Sequence, residues 1–145
     1  MSLAKTKARE CAVQALYQWQ VSGESLARIE RNFLEEERLK GAQKKYFSEI
    51  FHGVPKQLNI IDQALAEFVD RAVEKIDPVE RAILRIGVYE LINRLDTPYR
   101  VIINEGVNLA KCFGADGSHK YVNSILDKVS KKQRAMEIKS KADDS

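Results

Sequence analysis

Glycine, proline and cysteine are scarce in this chain of 145 residues, which has seven, three and two of them. Two cysteines, Cys11 and Cys112, that lack the spacing of a metal site argue for a reducing compartment and against a disulfide framework. We expect both as small core side chains. No apolar run approaches the ~20 residues that cross a bilayer, and no signal-peptide pattern is present. The composition predicts one compact, cytoplasmic domain with no membrane partner.

Charge is nearly balanced but unevenly distributed. The chain has 24 basic and 21 acidic residues, a formal net charge of +3. Basic residues cluster near both ends, and an acidic run, Glu35 to Glu37, lies between them. Such end-loading fits a polyanionic partner, although basic ends also serve only to keep proteins soluble.

No catalytic motif is present. The sequence has no glycine-rich phosphate loop, no GxSxG and no HExxH. His52 and His119 are far apart and have no cysteine or carboxylate at ligand spacing. We therefore expect no catalytic residues, no metal and no cofactor, and we interpret the chain as a non-enzyme.

Apolar residues recur at helical spacing almost everywhere, and no segment alternates as a half-buried strand would. The pattern predicts an all-α fold of about seven helices, with Gly23 ending the first and Pro55 kinking or dividing the third. The segment DPVERAILRIGVYELINRL (77–95) begins with Asp77 as N-cap, Pro78 at N1 and Glu80 at N3, close to a capping box. It is apolar on most sides, so we predict the central helix there. Ser118 is expected to cap the last helix.

The first helix holds an aromatic residue away from its own apolar face. Ala8, Cys11, Ala12, Ala15, Leu16 and Trp19 form one buried stripe. Tyr17 lies about 180° from Ala8 at ~100° per residue. Lys5, Lys7 and Arg9 are placed on the same outer half as Tyr17.

A second group of basic and aromatic residues surrounds the loop at 114–117. Its members are Lys111, Phe113, His119, Lys120 and Tyr121. Cations for phosphates and exposed rings for unpaired bases are what single-stranded nucleic acid binds. Phe113 and Tyr121 could instead be core residues, and Tyr17 could pack on another helix or on a second copy of the chain.

Three stretches resemble the NusB family of bacterial transcription antitermination factors. They are ARECAVQALYQW (8–19), VERAILRIGVYEL (79–91) and PYRVIINEGVNLAKCFGADGSHKYVNSILDK (98–128). The resemblance implies one helical domain over residues 1–132, with subdomains at about 1–76 and 77–132 packed roughly at right angles. Residues 133–145 are then expected to be a charged, disordered tail.

The resemblance also implies the function and its residues. It implies binding of the boxA element of ribosomal RNA leader transcripts jointly with NusE, a small-subunit ribosomal protein, so that the RNA polymerase complex reads through terminators. The implied RNA-binding residues are Lys5, Lys7, Arg9, Tyr17, Phe113, Gly117, Lys120 and Tyr121. The implied NusE surface includes Glu80, Tyr89, Tyr99 and Arg100.

Several positions depart from the family pattern. The N-terminal basic run is sparser than usual, which predicts weaker and less salt-sensitive RNA binding. Gly87 and Gly106 replace the usual alanines, at about 1 kcal/mol each unless close packing requires them. Ser124 replaces a glycine. Gly117 replaces a common aspartate, and the loss of that negative charge should favour RNA.

Two other functions are compatible with the same residues. One is an accessory RNA-binding domain like that at the front of ribosomal RNA cytosine methyltransferases, enzymes that would need a further cofactor-binding domain, which we do not expect here. The other is a helical adaptor that binds only proteins. A homodimer that buries the RNA face through Val13 and Tyr17 is a further alternative.

Overall fold

The computed structural model describes residues 2–144, and their side chains as far as residue 141, as helices joined by short turns. The prediction of an all-α fold is confirmed, with eight α-helices rather than about seven in the described range. They are α1 (Leu3–Ser22), α2 (Leu26–Glu35), α3 (Lys44–Lys56), α4 (Leu58–Ala66), α5 (Pro78–Asn93), α6 (Tyr99–Phe113), α7 (Ser118–Gln133) and α8 (Ala135–Asp144), with a 3-10 turn at Val73–Lys75.

Most helix ends lie where the local sequence predicts them. Gly23 closes α1 at φ +72°, and its N–H donates to the Trp19 carbonyl at 3.0 Å. The Asp77 carboxylate accepts the N–H groups of the first turn of α5. Pro55 lies in the last turn of α3, and the chain starts α4 after Gln57. Each end thus satisfies backbone groups that a helix leaves without partners.

Helix α5 is the centre of the fold, as predicted. Every residue from Ala82 to Leu91 is buried, and the helix packs against α1, α3, α4, α6 and α7. On the other side of α3, the stacked rings of Phe33, Phe47 and Phe51 attach α2 to the core, with centroids 5.9 and 5.5 Å apart. This core fixes α1 and the ends of α2 and α6 relative to one another.

Two glycines of the core face one leucine. A methyl group at Gly87 of α5 would lie 2.7 Å from Leu126 Cδ2, and one at Gly106 of α6 would lie 2.7 Å from Leu126 Cδ1. Leu126 is fully buried. Close packing therefore requires both glycines, which allow α7 to approach α5 and α6.

The C-terminal segment is helical as far as Asp144. A disordered tail was expected from residue 133, but α8 continues the fold, and Ser145 lies outside the described residues. Arg134 is buried and donates to the Leu91 carbonyl at 2.7 Å, while Glu137 accepts the Tyr99 N–H at 3.0 Å. These contacts attach α8 to the ends of α5 and α6. The division into subdomains at residue 76 stays a prediction.

Three smaller predictions were wrong. Gly117, at φ +81°, is the N-cap residue of α7, and Ser118 is its first helical residue. The Ser118 hydroxyl donates to Glu80 at 2.7 Å, so Glu80 turns toward α7 rather than back to Asp77. Cys11 is buried as expected, but Cys112 is exposed.

None of the helices in the described part of the chain combines the length and apolar character that crossing a membrane requires.

Candidate nucleic-acid interface

An open, mainly apolar groove of about 430 Å³ lies between α1, the end of α2 and the end of α6. Tyr17 and Phe113, which are 96 positions apart in the chain (113 − 17), both line it. Tyr17 is 41% exposed, whereas Phe113 is half-buried against the core. The structure therefore brings together one aromatic residue from each cluster found in the sequence. The complete lining is Val13, Gln14, Tyr17, Gln18, Val21, Ser22, Arg38, Val79 and Phe113.

Three further residues of the predicted RNA site are exposed, and two of them are lysines. Lys7 is exposed and lies one heptad before Gln14, so both occupy one face of α1. Its ammonium is 3.8 Å from Glu10, an exposed pair that holds it only weakly. Beyond Phe113, Gly117 and Lys120 are exposed at the turn into α7.

Arg9, one of the predicted RNA-binding residues, lies in the core of this structure. It is only 2% exposed, and its guanidinium donates to both Glu90 carboxylate oxygens at 2.9–3.1 Å. Glu105 lies 3.3 Å away. Burial lowers the pKa of Arg9, but the hydrogen bonds and charge of Glu90 outweigh this and raise it, so Arg9 stays charged. This side chain belongs to the core and cannot contact RNA in this structure.

Lys5 and Tyr121 occupy intermediate positions. Lys5 is half-buried, with its ammonium 5.2 Å from the centroid of the Tyr46 ring, turned toward α3 rather than toward the groove. Tyr121 is half-buried, and the guanidinium carbon of Arg71 lies 5.9 Å from its ring centroid. Burial, followed by the charge of Asp70, raises the pKa of the Tyr121 hydroxyl, which therefore stays protonated at neutral pH.

Two residues of the predicted protein-binding surface are buried. The Tyr89 ring packs where a side chain at Gly53 would stand, and its hydroxyl lies 3.4 Å from Glu49. Tyr99 is also buried, beneath Arg100 and Lys141. We therefore remove both tyrosines from that surface, because neither ring offers a partner much area. Arg100 is exposed and Glu80 is half-buried.

Sequence reasoning missed six of the nine residues that line the groove, among them two polar ones with the chemistry to bind RNA, and it misplaced Val13. Arg38 and Gln14 line the groove, although neither stood out in the sequence. Val13, expected to be exposed, is buried, which leaves Tyr17 and Val21 as the exposed apolar side chains of the groove. Within residues 2–141, no three His, Cys, Asp or Glu side chains are grouped to hold a metal ion.

The groove has the chemistry of a site for an unpaired nucleobase. Its floor is apolar, Tyr17 presents part of its ring to solvent, and cationic side chains flank it. An aromatic face stacks on any base, and nearby cations bind the phosphates that join successive bases. Among the residues whose side chains the structure describes, no general acid, base or nucleophile converges on it.

Comparisons with known sequences match this chain to members of a single family. The profile of the NusB family matches residues 6–131. A transcription antitermination protein NusB from Nitrosococcus oceani is 47% identical over 142 residues, which are 98% of this chain and 95% of that protein. Another, from Pasteurella multocida, is 51% identical over 125 residues, 86% of this chain and 87% of that protein.

Solved structures have the same fold. A crystal structure of the antitermination factors NusB and NusE in complex with dsRNA matches with a TM-score of 0.82 and 25% identity, over 91% of this chain and 99% of that one. A structure of NusB from T. maritima matches with a TM-score of 0.75 and 28% identity, over 90% and 93% of the two chains.

Proposed function

The chain belongs to the NusB family, and on this premise we propose that it binds boxA RNA of ribosomal RNA leader transcripts together with NusE. In this role it is a non-enzymatic antitermination factor that helps RNA polymerase to read through terminators. One relative of this fold is described in complex with NusE and dsRNA, which supports an RNA and a protein as the two partners.

The observation that carries the proposal is the meeting of Tyr17 and Phe113 in one groove. Tyr17 is 41% exposed on a helix that has its own apolar stripe, so part of its ring is free to contact a partner outside the fold. RNA supplies that partner, because an unstacked base covers the ring while its phosphates meet nearby cations. Lys7, Gly117 and Lys120 are exposed, and we assign them to the RNA as well.

We assign the NusE contact to two residues that do not line the groove. Arg100 is exposed in the first turn of α6, and Glu80 is half-buried in the first turn of α5. Because Glu80 already accepts a hydrogen bond from Ser118, a partner that engages Glu80 also acts on the start of α7. That helix carries Lys120, so NusE and RNA would meet on neighbouring turns.

The test is fluorescence anisotropy of a short, labelled boxA-type RNA titrated with the protein, at two salt concentrations, with and without NusE. We expect binding that salt weakens steeply and NusE strengthens. Tyr17→Ala should cost about 1–3 kcal/mol of binding free energy, the usual range for one base stacked on an aromatic ring. Lys120→Ala should weaken binding mainly at low salt.

Matched controls come from exposed residues outside the groove. Ile60→Ala removes a 56% exposed apolar side chain from α4, and Lys56→Ala removes an exposed cation from the end of α3. Both should bind RNA like the unmodified protein. Absence of RNA binding at low salt, with NusE present, would contradict the proposed function. A concentration-dependent mass in light scattering that RNA does not reverse would instead favour a homodimer through this groove.

A further inference from the structure

The C-terminal cap of α2 fixes the position of Arg38. The Arg38 N–H donates to the Phe33 carbonyl at 2.9 Å, and the Glu37 N–H donates to the Leu34 carbonyl at 3.2 Å. Glu37 has φ +56°, in the left-handed region. These bonds form a Schellman motif. In this motif the side chain of the residue that follows the left-handed residue packs against the last turn of the helix. Here that contact is the Arg38 guanidinium, 3.8 Å from the centroid of the Phe33 ring.

Contacts to α1 then hold this arginine at the groove. Its Nη2 donates to Gln14 Oε1 at 2.8 Å, and its carbonyl accepts from the Cys11 thiol at 3.4 Å. The next residue, Leu39, is buried and anchors the turn in the core. The side chain is therefore ordered before any ligand arrives, which lowers the entropy that binding has to overcome.

The Arg38 guanidinium is only weakly paired with a carboxylate, and most of its N–H donors are free in the described part of the chain. Among the described residues, its one carboxylate neighbour within 4 Å is Glu36, at 3.8 Å, and the two side chains are 37% and 62% exposed. Such a pair is weak in water and is readily exchanged for a better anion. A guanidinium has five N–H donors, of which Gln14 uses one.

We propose that Arg38 binds a phosphate of the RNA strand whose base lies against Tyr17 and Phe113. This inference rests on the proposed function and adds a phosphate contact from the α2–α3 turn. Arginine suits the position because its planar fork can donate two parallel hydrogen bonds to phosphate oxygens while its face stays on Phe33. The contact would fix the position of the strand without reading its sequence.

The experiment measures the slope of log affinity against log salt for the same boxA-type RNA. Arg38→Gln should reduce the magnitude of this slope by about 0.7, the value for one phosphate contact on a single strand, with affinity falling roughly tenfold at low salt. Arg38→Lys retains the charge and should retain the slope. Glu36→Gln, which removes the competing carboxylate, should tighten binding.

The matched control is Arg31→Gln, which removes the same charge from an exposed arginine of α2 that does not line the groove. It should leave the slope unchanged. If the unmodified protein binds RNA and Arg38→Gln binds with the same affinity and slope, the inference is wrong and the proposed function stands. If the unmodified protein does not bind RNA, the proposed function itself fails. If Arg38→Gln and Arg31→Gln weaken RNA binding equally, Arg38 contributes only general positive charge, and the proposed phosphate contact is wrong.

Discussion

Arg9 of α1 and Glu90 of α5 form a buried ion pair, with Nη2 and Oε2 2.9 Å apart and both side chains almost wholly removed from solvent. Tyr46 of α3 joins them by donating its hydroxyl to Glu90, and Thr6 donates to the neighbouring Glu105 at 2.9 Å. Burial and the charge of Glu90 raise the pKa of Tyr46, so its hydroxyl remains protonated and able to donate. The cluster connects α1, α3, α5 and α6 beneath the surface that carries Lys7.

Arg9→Ala should therefore lower stability rather than act on RNA alone. Removing one partner of a buried pair leaves the other charge unpaired, and we expect a loss of about 3–5 kcal/mol in the free energy of unfolding. Urea denaturation followed by circular dichroism measures it. Lys7→Ala, two residues away and exposed, should change stability by less than about 0.5 kcal/mol. A stable Arg9→Ala protein that has lost only RNA affinity would show that Arg9 reaches the RNA.

Gly87→Ala tests the packing of α7. The added methyl should gain about 1 kcal/mol of helix propensity. It would also crowd Leu126, so we expect a net loss of about 1–3 kcal/mol. In a Leu126→Val background the same change should cost less, and a double-mutant cycle of unfolding free energies measures that coupling. Additive effects, or stabilisation by Gly87→Ala alone, would contradict this packing.

Glu37→Gly should stabilise the protein. Glu37 is the one non-glycine residue with positive φ in the described part of the chain, and an L-residue there costs roughly 1–2 kcal/mol. Glycine removes that strain but is more flexible when unfolded, so a net gain of about 1 kcal/mol is expected. Glu36→Gly, at φ −85°, should lower stability instead. Thermal unfolding of the two variants side by side decides between these directions.

Two substitutions at Gly117 distinguish the effect of backbone strain from the effect of charge. Its φ of +81° disfavours any side chain, so Gly117→Asp and Gly117→Asn should both lose up to about 1 kcal/mol of stability. Only the aspartate adds a negative charge beside Lys120, so only Gly117→Asp should weaken RNA binding several-fold, and less so as salt screens the charge. Equal RNA affinity of the two variants would show that charge at this turn has no effect.

Local signals predicted most of the fold. Gly23, Pro55 and the Asp77-Pro78 pair mark helix ends by backbone chemistry that depends on a few neighbouring residues. Helix α8 could not be predicted in this way, because its order depends on Arg134 and Glu137 reaching the ends of α5 and α6. Its own sequence is charged and only weakly periodic.

The site was harder to predict, for two different reasons. The burial of Arg9 was not predicted, although its position in the sequence held the signal: it precedes Ala12, Val13 and Leu16 by three, four and seven residues, the spacing of one helix face. All three are buried. Arg38 carried no comparable signal, since its place depends on a left-handed glutamate and on the packing of α2 against α1.

The most direct test of the central claim is photocrosslinking of boxA-type RNA that carries a photoreactive uridine, followed by mass spectrometry of the crosslinked peptides. The assignment of the groove to RNA predicts crosslinks in the peptides that contain Tyr17 and Phe113, and their loss in Tyr17→Ala and Phe113→Ala. Crosslinks confined to α4 and the C-terminal half of α7, with none at either aromatic residue, would contradict it.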